Sequence, residues 1–329
     1  MLKNKIMSHR AVPICSITNW YHGFYYFMPG DPYIWLSEHE LLHFQRGPEG
    51  PQPMVFNTKD ASDLPEPKLG DLTGGFARSV SPDGQWVLWL PHEKSGTQRG
   101  LAATRRSDGK TVHWNVHPNR SEGFWLPDSR CWVGVTSGWA GHLVNGRQQY
   151  DTAFSVFSVD HSDVQTYQPI PIMDHSAYIL GITSKGHLLL DNSYGGRDTP
   201  GQATPPLSLW EVSLETDPPS FSVYQVPQPQ ATPGLQRLRK DIHLSPNGDR
   251  LLWSALQIPQ WSDLHSTPVD PYTGNLSCIN IWFCSLNDRL PQFIGAWGSW
   301  QVFGDARWNP DGKRISFTRG DTLQSVSVD

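Results

Sequence analysis

Short apolar runs recur along the chain, and each follows a polar turn of nearly constant composition. The runs are Leu41-Leu-His-Phe44, Trp86-Val-Leu-Trp-Leu90, Trp132-Val-Gly-Val135, His187-Leu-Leu-Leu190, Leu251-Leu-Trp253 and Ile315-Ser-Phe317. The turns before them are Ser37-Glu38-His39-Glu40, Ser81-Pro82-Asp83-Gly84, Pro127-Asp128-Ser129, Ser184-Lys185-Gly186, Ser245-Pro246-Asn247-Gly248 and Asn309-Pro310-Asp311-Gly312. Pro sets φ at the second position of a type I turn, Asp or Asn bonds locally to the backbone, and Gly supplies the left-handed residue that ends it. Each turn therefore predicts a hairpin. Runs that are apolar at successive positions predict strands buried on both faces.

A second, alternating element follows at variable distance: Phe154–Val159, Ser208–Leu214, Asn280–Leu286 and Thr322–Val328. Each ends in a polar turn such as Asp160-His-Ser or Asn287-Asp-Arg, and after Ser107-Asp-Gly-Lys110 a further strand begins at Thr111. The unit is thus four antiparallel strands. With Glu38, Pro82, Pro127, Ser184, Pro246 and Pro310 as equivalents, the intervals are 44, 45, 57, 62 and 64 residues. Four-stranded repeats of this size predict an all-β chain, a six-bladed β-propeller of four-stranded antiparallel blades. The units fall near 31–65, 66–117, 118–172, 173–228, 229–295 and 296–329, within a single propeller domain over 1–329. The sixth unit ends after its third strand. Ala11-Val-Pro-Ile-Cys-Ser-Ile17 is the one unassigned strand-like stretch, so residues 1–18 are expected to close the last blade, with Pro13 tolerated on an outermost edge.

Composition supports this picture. The 15 Trp, 13 Phe and 10 Tyr favour pleated, half-buried surfaces, and 29 Gly with 28 Pro fit many tight turns. A net charge of −5 provides no basic field to collect phosphates, so nucleic acid is excluded as a partner. No apolar run approaches the roughly 20 residues that span a bilayer, so no membrane span is expected. The N-terminal stretch has basic residues but no convincing signal-peptide core, and the expected location is cytoplasmic. Cys15, Cys131, Cys278 and Cys284 are read as reduced, buried thiols, because an i,i+6 pair on one strand lies about 20 Å apart. No Cys or His spacing matches a metal site, so neither metal nor cofactor is expected, and the chain is read as a monomer.

Trp308-Asn-Pro-Asp-Gly-Lys-Arg-Ile-Ser-Phe-Thr318 with the strand that follows it, and Ser79-Val-Ser-Pro-Asp-Gly-Gln-Trp-Val-Leu-Trp89, resemble the WD40-like (PD40) repeat of TolB-like six-bladed β-propellers. The resemblance covers roughly residues 31–329. It implies a fold shared by periplasmic TolB, by the gating propellers of prolyl-oligopeptidase-like enzymes and by oligogalacturonate lyases. No Gly-x-Ser-x-Gly elbow is present, which removes the peptidase reading. Neither a TolB-like secretion signal nor its N-terminal α/β domain is seen, so the periplasmic role is not carried over.

Loop length points to where a ligand would bind. The Pro-Asp-Gly turns are tight, whereas the segments joining the second strand to the third are long: Pro91–Gly100, Ser137–Asp151, Asp191–Pro206 and Leu256–Leu276. Long loops in compact domains usually carry function. They supply the candidate ligand-binding residues His92, Trp139, His142, Tyr194, Arg197, Asp198, Trp261, Asp263 and His265, to which a blade-linking segment adds His175. Flat rings suit stacking, and His or Arg suits acidic groups, so the expected partner is a protein or peptide, or a carbohydrate. The expected function is non-enzymatic binding. The alternative is a saccharide-active enzyme resembling oligogalacturonate lyase on the same face, with His92, His142, His175 and Arg197 as the places to seek its base and metal. The repeat-associated Trp35, Trp86, Trp89, Trp125, Trp132, Trp210, Trp253, Trp282 and Trp308 are assigned to the core instead.

Overall fold

A computed structural model describes residues 11–17, 20, 33–48, 50–91, 100–115, 123–135, 142–144, 147–173, 178–191, 206–213, 220–228, 235–259, 278–298, 306–319 and 321–328. The turn-and-run pattern becomes six antiparallel sheets, the blades of a six-bladed β-propeller, carried by two compact units.

The unit Asn19–Ile179 holds three blades. The first is β2 (Tyr33–Trp35), β3 (Glu40–Gly47), β4 (Gly50–Asn57) and β5 (Asp63–Pro65) in that order. A 3-10 helix over Pro67–Gly74, which the sequence pattern did not announce, buries Leu69 and Leu72 before the second blade. That blade is β6 (Gly75–Val80), β7 (Trp86–Pro91), β8 (Leu101–Arg105) and β9 (Thr111–Trp114).

The third blade departs from the four-strand expectation. It contains β10 (Gly123–Trp125), β11 (Cys131–Val135), β12 (His142–Val144), β13 (Arg147–Ser158) and β14 (Val164–Met173). The 12-residue β13 is too long for β11 alone: Phe154–Ser158 pair with β11, and Arg147–Gln149 pair with β12 on the same edge. Together β11 and β12 occupy the place of one interrupted strand.

The second unit combines Leu180–Asp329 with Met1–Thr18. Its first blade is β15 (Tyr178–Ile182), β16 (Leu188–Asp191), β17 (Leu207–Ser213) and β18 (Ser220–Val226), and its second is β19 (Leu235–Leu244), β20 (Arg250–Pro259), β21 (Cys278–Ser285) and β22 (Gln292–Gly298). The last blade has β23 (Arg307–Trp308), β24 (Arg314–Arg319) and β25 (Thr322–Ser327), and its fourth strand is β1 (Val12–Ser16) from the other end of the chain. The expected closure is realised. Val12 faces Ser325 and Ser16 faces Thr322 across the ladder, with a register shift at Pro13, which cannot donate a ladder hydrogen bond.

Consecutive apolar positions are explained by burial on both faces, because successive side chains of a strand point to opposite sides. Trp86 and Leu88 pack with Trp125, Trp132 and Phe157 of the next blade, while Val87 and Trp89 pack with Leu36 and Leu42 of the previous one. Likewise Leu251 and Trp253 join Leu189, Leu207 and Leu209, whereas Leu252 joins Ile315, Phe317 and Trp308. Of the tryptophans assigned to the core, Trp210 and Trp282 prove only half-buried. Trp20 and Trp114, not singled out by the repeat, are buried.

The hairpin turns share one geometry. The N–H of Ser81 donates to Trp86 O and that of Gly84 to Ser81 O; the same two bonds recur at Ser245/Gly248 and Asn309/Gly312. Gly84 (φ +71°) and Gly312 (φ +66°) end their turns in the left-handed region. They are also jammed against the preceding blade: a Cβ on Gly84 would lie 2.6 Å from Leu36 O, and one on Gly312 2.8 Å from Asn247 Nδ2. The glycines are needed twice over, once for φ and once for the packing of blade on blade.

Candidate functional site: the two ends of the blades

In the five blades where the residue after the third strand is described, a backbone bond ties that residue to the first turn. Thr58 N donates to His39 O, Arg106 N to Gln85 O, Val159 N to Arg130 O, Leu286 N to Asp249 O and Val328 N to Lys313 O, all at 2.7–3.0 Å. The first-to-second and third-to-fourth turns therefore share one end of each blade. That end is closed by its own bonds. Ser81 Oγ donates to Asp83 Oδ1 (2.6 Å) and accepts from Trp86 N–H (2.9 Å), and Ser245 Oγ plays the same part for Asp249 and Arg250.

Several charges at this end are paired with one another. Arg106 of the second blade reaches Glu40 of the first, and the exposed pairs Arg105–Asp108 and Arg130–Asp160 brace single turns. The Arg105 guanidinium, aided by the Lys110 N–H, holds the Asp108 carboxyl well below the usual carboxylate range. Between the fourth and fifth blades a shallow polar cleft is lined by Thr183, Lys185, Glu211, Asp249, Asn287 and Arg289. Within it the Glu211 carboxylate is shared by His187 Nδ1 (3.2 Å), Thr183 Oγ1 (3.4 Å) and Lys185 Nζ (3.7 Å).

The opposite end is built differently. There β3 turns into β4 at Gly47/Gly50 and β24 into β25 at Arg319/Thr322, both tight hairpins. In the second, fourth and fifth blades long segments join these strands. Pro91 is followed by β8 only at Leu101, Asp191 by β17 only at Leu207, and Pro259 by β21 only at Cys278; in the third blade residues 136–141 interrupt the second strand, and its continuation β12 meets β13 at Val144/Arg147. Of the residues predicted to bind ligand, His142 lies on β12, its backbone paired with Gln149. His92, Trp139, His175, Tyr194, Arg197, Asp198, Trp261, Asp263 and His265 lie outside the described residues, so no convergence among them is asserted.

Two polar constellations escaped the sequence reading. On β3, His43 is fully buried. Its Nε2 meets Asp63 Oδ1 at 2.8 Å, Gln45 Nε2 donates to Asp63 Oδ2 at 2.7 Å, and the indole of Trp20 stacks on the imidazole at 4.3 Å. Burial pushes the His43 pKa below its ordinary value against the pull of the Asp63 carboxylate. On the innermost strands of the last two blades, Arg307 Nη1 lies 3.0 Å from His243 Nδ1, and Trp308 Nε1 donates to His243 O at 3.3 Å. A signal for this second pair was present: each residue stands two positions before the first residue of its turn, Ser245 or Asn309. The first had none, because only strand pairing brings residues 20, 43, 45 and 63 together.

Cys15, Cys131 and Cys284 are free thiols. Cys284 is buried, and its thiol is pushed up to about 12 by burial; Cys15 and Cys131 are half-buried rather than fully buried as expected. Among the described residues no three His, Cys, Asp or Glu side chains are grouped as a metal site, and no helix is long and apolar enough to cross a membrane.

Blades of this construction define the class: a β-propeller with one closed and one elaborated end. No protein-family model matches the chain, and no curated protein matches it in sequence. Solved structures do match in fold. TolB from Acinetobacter baumannii superposes with a TM-score of 0.50 at 10% identity, covering 92% of this chain and 65% of that one. A gluconolactonase from Xanthomonas campestris superposes with a TM-score of 0.50 at 10% identity, covering 99% and 91%. A TolB homologue from Agrobacterium tumefaciens gives 0.49 at 14% identity, covering 91% of each chain. The fold is that of a TolB-like six-bladed β-propeller.

Proposed function

We propose that this propeller is a non-enzymatic binding protein that recognises a polar ligand, a protein or peptide segment or a carbohydrate, through the end of the blades opposite the tight turns. One observation carries the reading. Three of the six blades leave their second and third strands joined by long segments at that end, and in the third blade residues 136–141 interrupt the second strand, while the other end is closed by interlocking hydrogen bonds. Long connections on a rigid scaffold are where binding residues concentrate. The segments bear His92, Trp139, Tyr194, Arg197, Asp198, Trp261, Asp263 and His265, a mixture of flat rings and ionisable groups suited to polar ligands. Free thiols at Cys15, Cys131 and Cys284 accord with a reducing compartment, and the cytoplasm is the location we assign.

The test is a screen of peptide and neutral or acidic oligosaccharide arrays with the full chain, followed by titration of variants. Alanine at Trp139, Arg197, Trp261 or His265 should weaken binding while leaving stability within about 0.5 kcal/mol. Gly84→Val and Gly312→Val should lower stability yet leave ligand preference unchanged among folded molecules. Affinity that responds to the glycines and ignores all four loop positions would place the binding surface at the wrong end, and turnover of an oligosaccharide would replace binding by catalysis.

A further inference from the structure

The outermost strand of a blade exposes a row of backbone N–H and C=O groups, and proteins blunt such edges by shortening them or by adding prolines, charges or bulges. Five of the six outer edges carry such a device. β5 is three residues long and ends in Pro65, and β9 has four residues. β14 contains Pro169 and Pro171 and shifts register where β13 passes from Thr152 to Phe154. The pairing of β22 shifts register between Ile281 and Trp282, and β1 contains Pro13 with a shift beside it.

β18 has none of these. Its sequence, Ser-Phe-Ser-Val-Tyr-Gln-Val, holds no proline, glycine or charge, and all seven residues pair with β17 without a shift. Ser220, Ser222, Val223 and Gln225 are exposed, Val223 at 58%. Among the described residues no strand covers its outer edge.

We propose that β18 is a self-association edge, at which a second copy of this chain adds its own β18 antiparallel across a two-fold axis. Two features favour a second copy as the occupant. An axis through Val223 sets that residue against its own copy and pairs Ser222 with Tyr224 and Ser220 with Val226, so self-pairing brings no charge against a charge. Near the centre of a symmetric pairing stands Val223, a β-branched residue of high strand propensity already presented to solvent. The sequence also bounds the edge, with Pro219 before it and Pro227 after it. Prolines cannot extend a ladder, so pairing stops after seven residues and yields a closed dimer rather than a growing sheet. This departs from the monomer expected of the sequence and is independent of the ligand-binding end.

Sedimentation of the full chain across a concentration series tests it. The wild type should show a reversible monomer–dimer equilibrium, and Val223→Lys should weaken it at least tenfold, as should Ser222→Lys, both with unchanged melting temperature. Leu64→Lys, at an exposed position on the truncated β5, should leave the equilibrium as in wild type. A wild type that stays monomeric at about 200 μM overturns self-pairing, and added extended peptide that then protects the β18 amides from exchange assigns the edge to another protein. Dimers that survive both lysine substitutions overturn the proposal by placing the interface elsewhere.

Discussion

The backbone N–H of Asp83 donates to Ser129 Oγ at 3.0 Å, joining the first turn of the second blade to the first turn of the third. Ser129 occupies the position that glycine holds in four of the other turns, and it does so at φ +60°. The side chain that makes the conformation costly is thus the one that fastens two blades.

Substitutions at Ser129 should separate those two effects. Ser129→Ala keeps the strained φ and strands the Asp83 N–H, so unfolding free energy should fall by about 1–2 kcal/mol. Ser129→Gly loses the same bond but relieves the backbone, and should lie within roughly 1 kcal/mol of wild type. Urea titrations of the two variants give the comparison, and an alanine variant as stable as the glycine one would contradict it.

Gly84→Ala should be costlier than an ordinary turn substitution, because the added Cβ meets Leu36 O at 2.6 Å as well as an unfavourable φ. A loss of about 2–3 kcal/mol is expected from strain and overpacking together. Gly186→Ala is the control: φ is +81° there, but nothing lies within 4 Å of the new Cβ, so only the backbone term of about 1–2 kcal/mol should remain. Thermal melts of both variants should show Gly84→Ala as the lower.

His43 sets a pH dependence. Burial depresses its folded pKa below the ordinary imidazole value, so below about pH 6.5 the unfolded chain binds the proton more readily than the folded one. The stability due to neutral His43 is complete above that value and is lost as pH falls toward the folded pKa. Denaturant melts at pH 7.5 and 5.5 should show this decline, and His43→Gln, which can still donate to Asp63, should show a shallower one. An unchanged slope in the variant would remove His43 as its source.

Native alkylation should sort the thiols. Cys284 is buried with its thiol pushed up to about 12, so at pH 8 it should react with iodoacetamide only after unfolding. Burial likewise raises the pKa of the half-buried Cys131, which should react slowly. Peptide mass spectrometry before and after denaturation reads both, and rapid native labelling of Cys284 would contradict the packing around Trp253 and Leu251.

Deletion of residues 1–18 should expose the ladder of Thr322–Ser325 that β1 now covers. An uncovered edge promotes intermolecular pairing, so the truncated protein should melt lower and aggregate more. An unchanged melting temperature and monomer content would show that the strand is dispensable.

The blades were legible in the sequence because their determinants are local. Ser-Pro-Asp-Gly turns encode their own dihedrals, and successive apolar residues such as Val87 and Leu88 signal two buried faces within one strand. Even the closing strand could be read, since a blade lacking its fourth strand and an unassigned Ala11–Ile17 imply each other. What joins distant residues was not legible. His43 meets Asp63 and Trp20 through strand pairing and stacking, Asp83 meets Ser129 only because neighbouring turns interlock, and β13 accepts two partners on one edge because its length exceeds that of β11. Candidate binding residues could be named from loop length and side-chain chemistry, which are properties of the chain. Which of them converge depends on where the segments between strands settle, and that is decided by packing in three dimensions, not by spacing along the sequence.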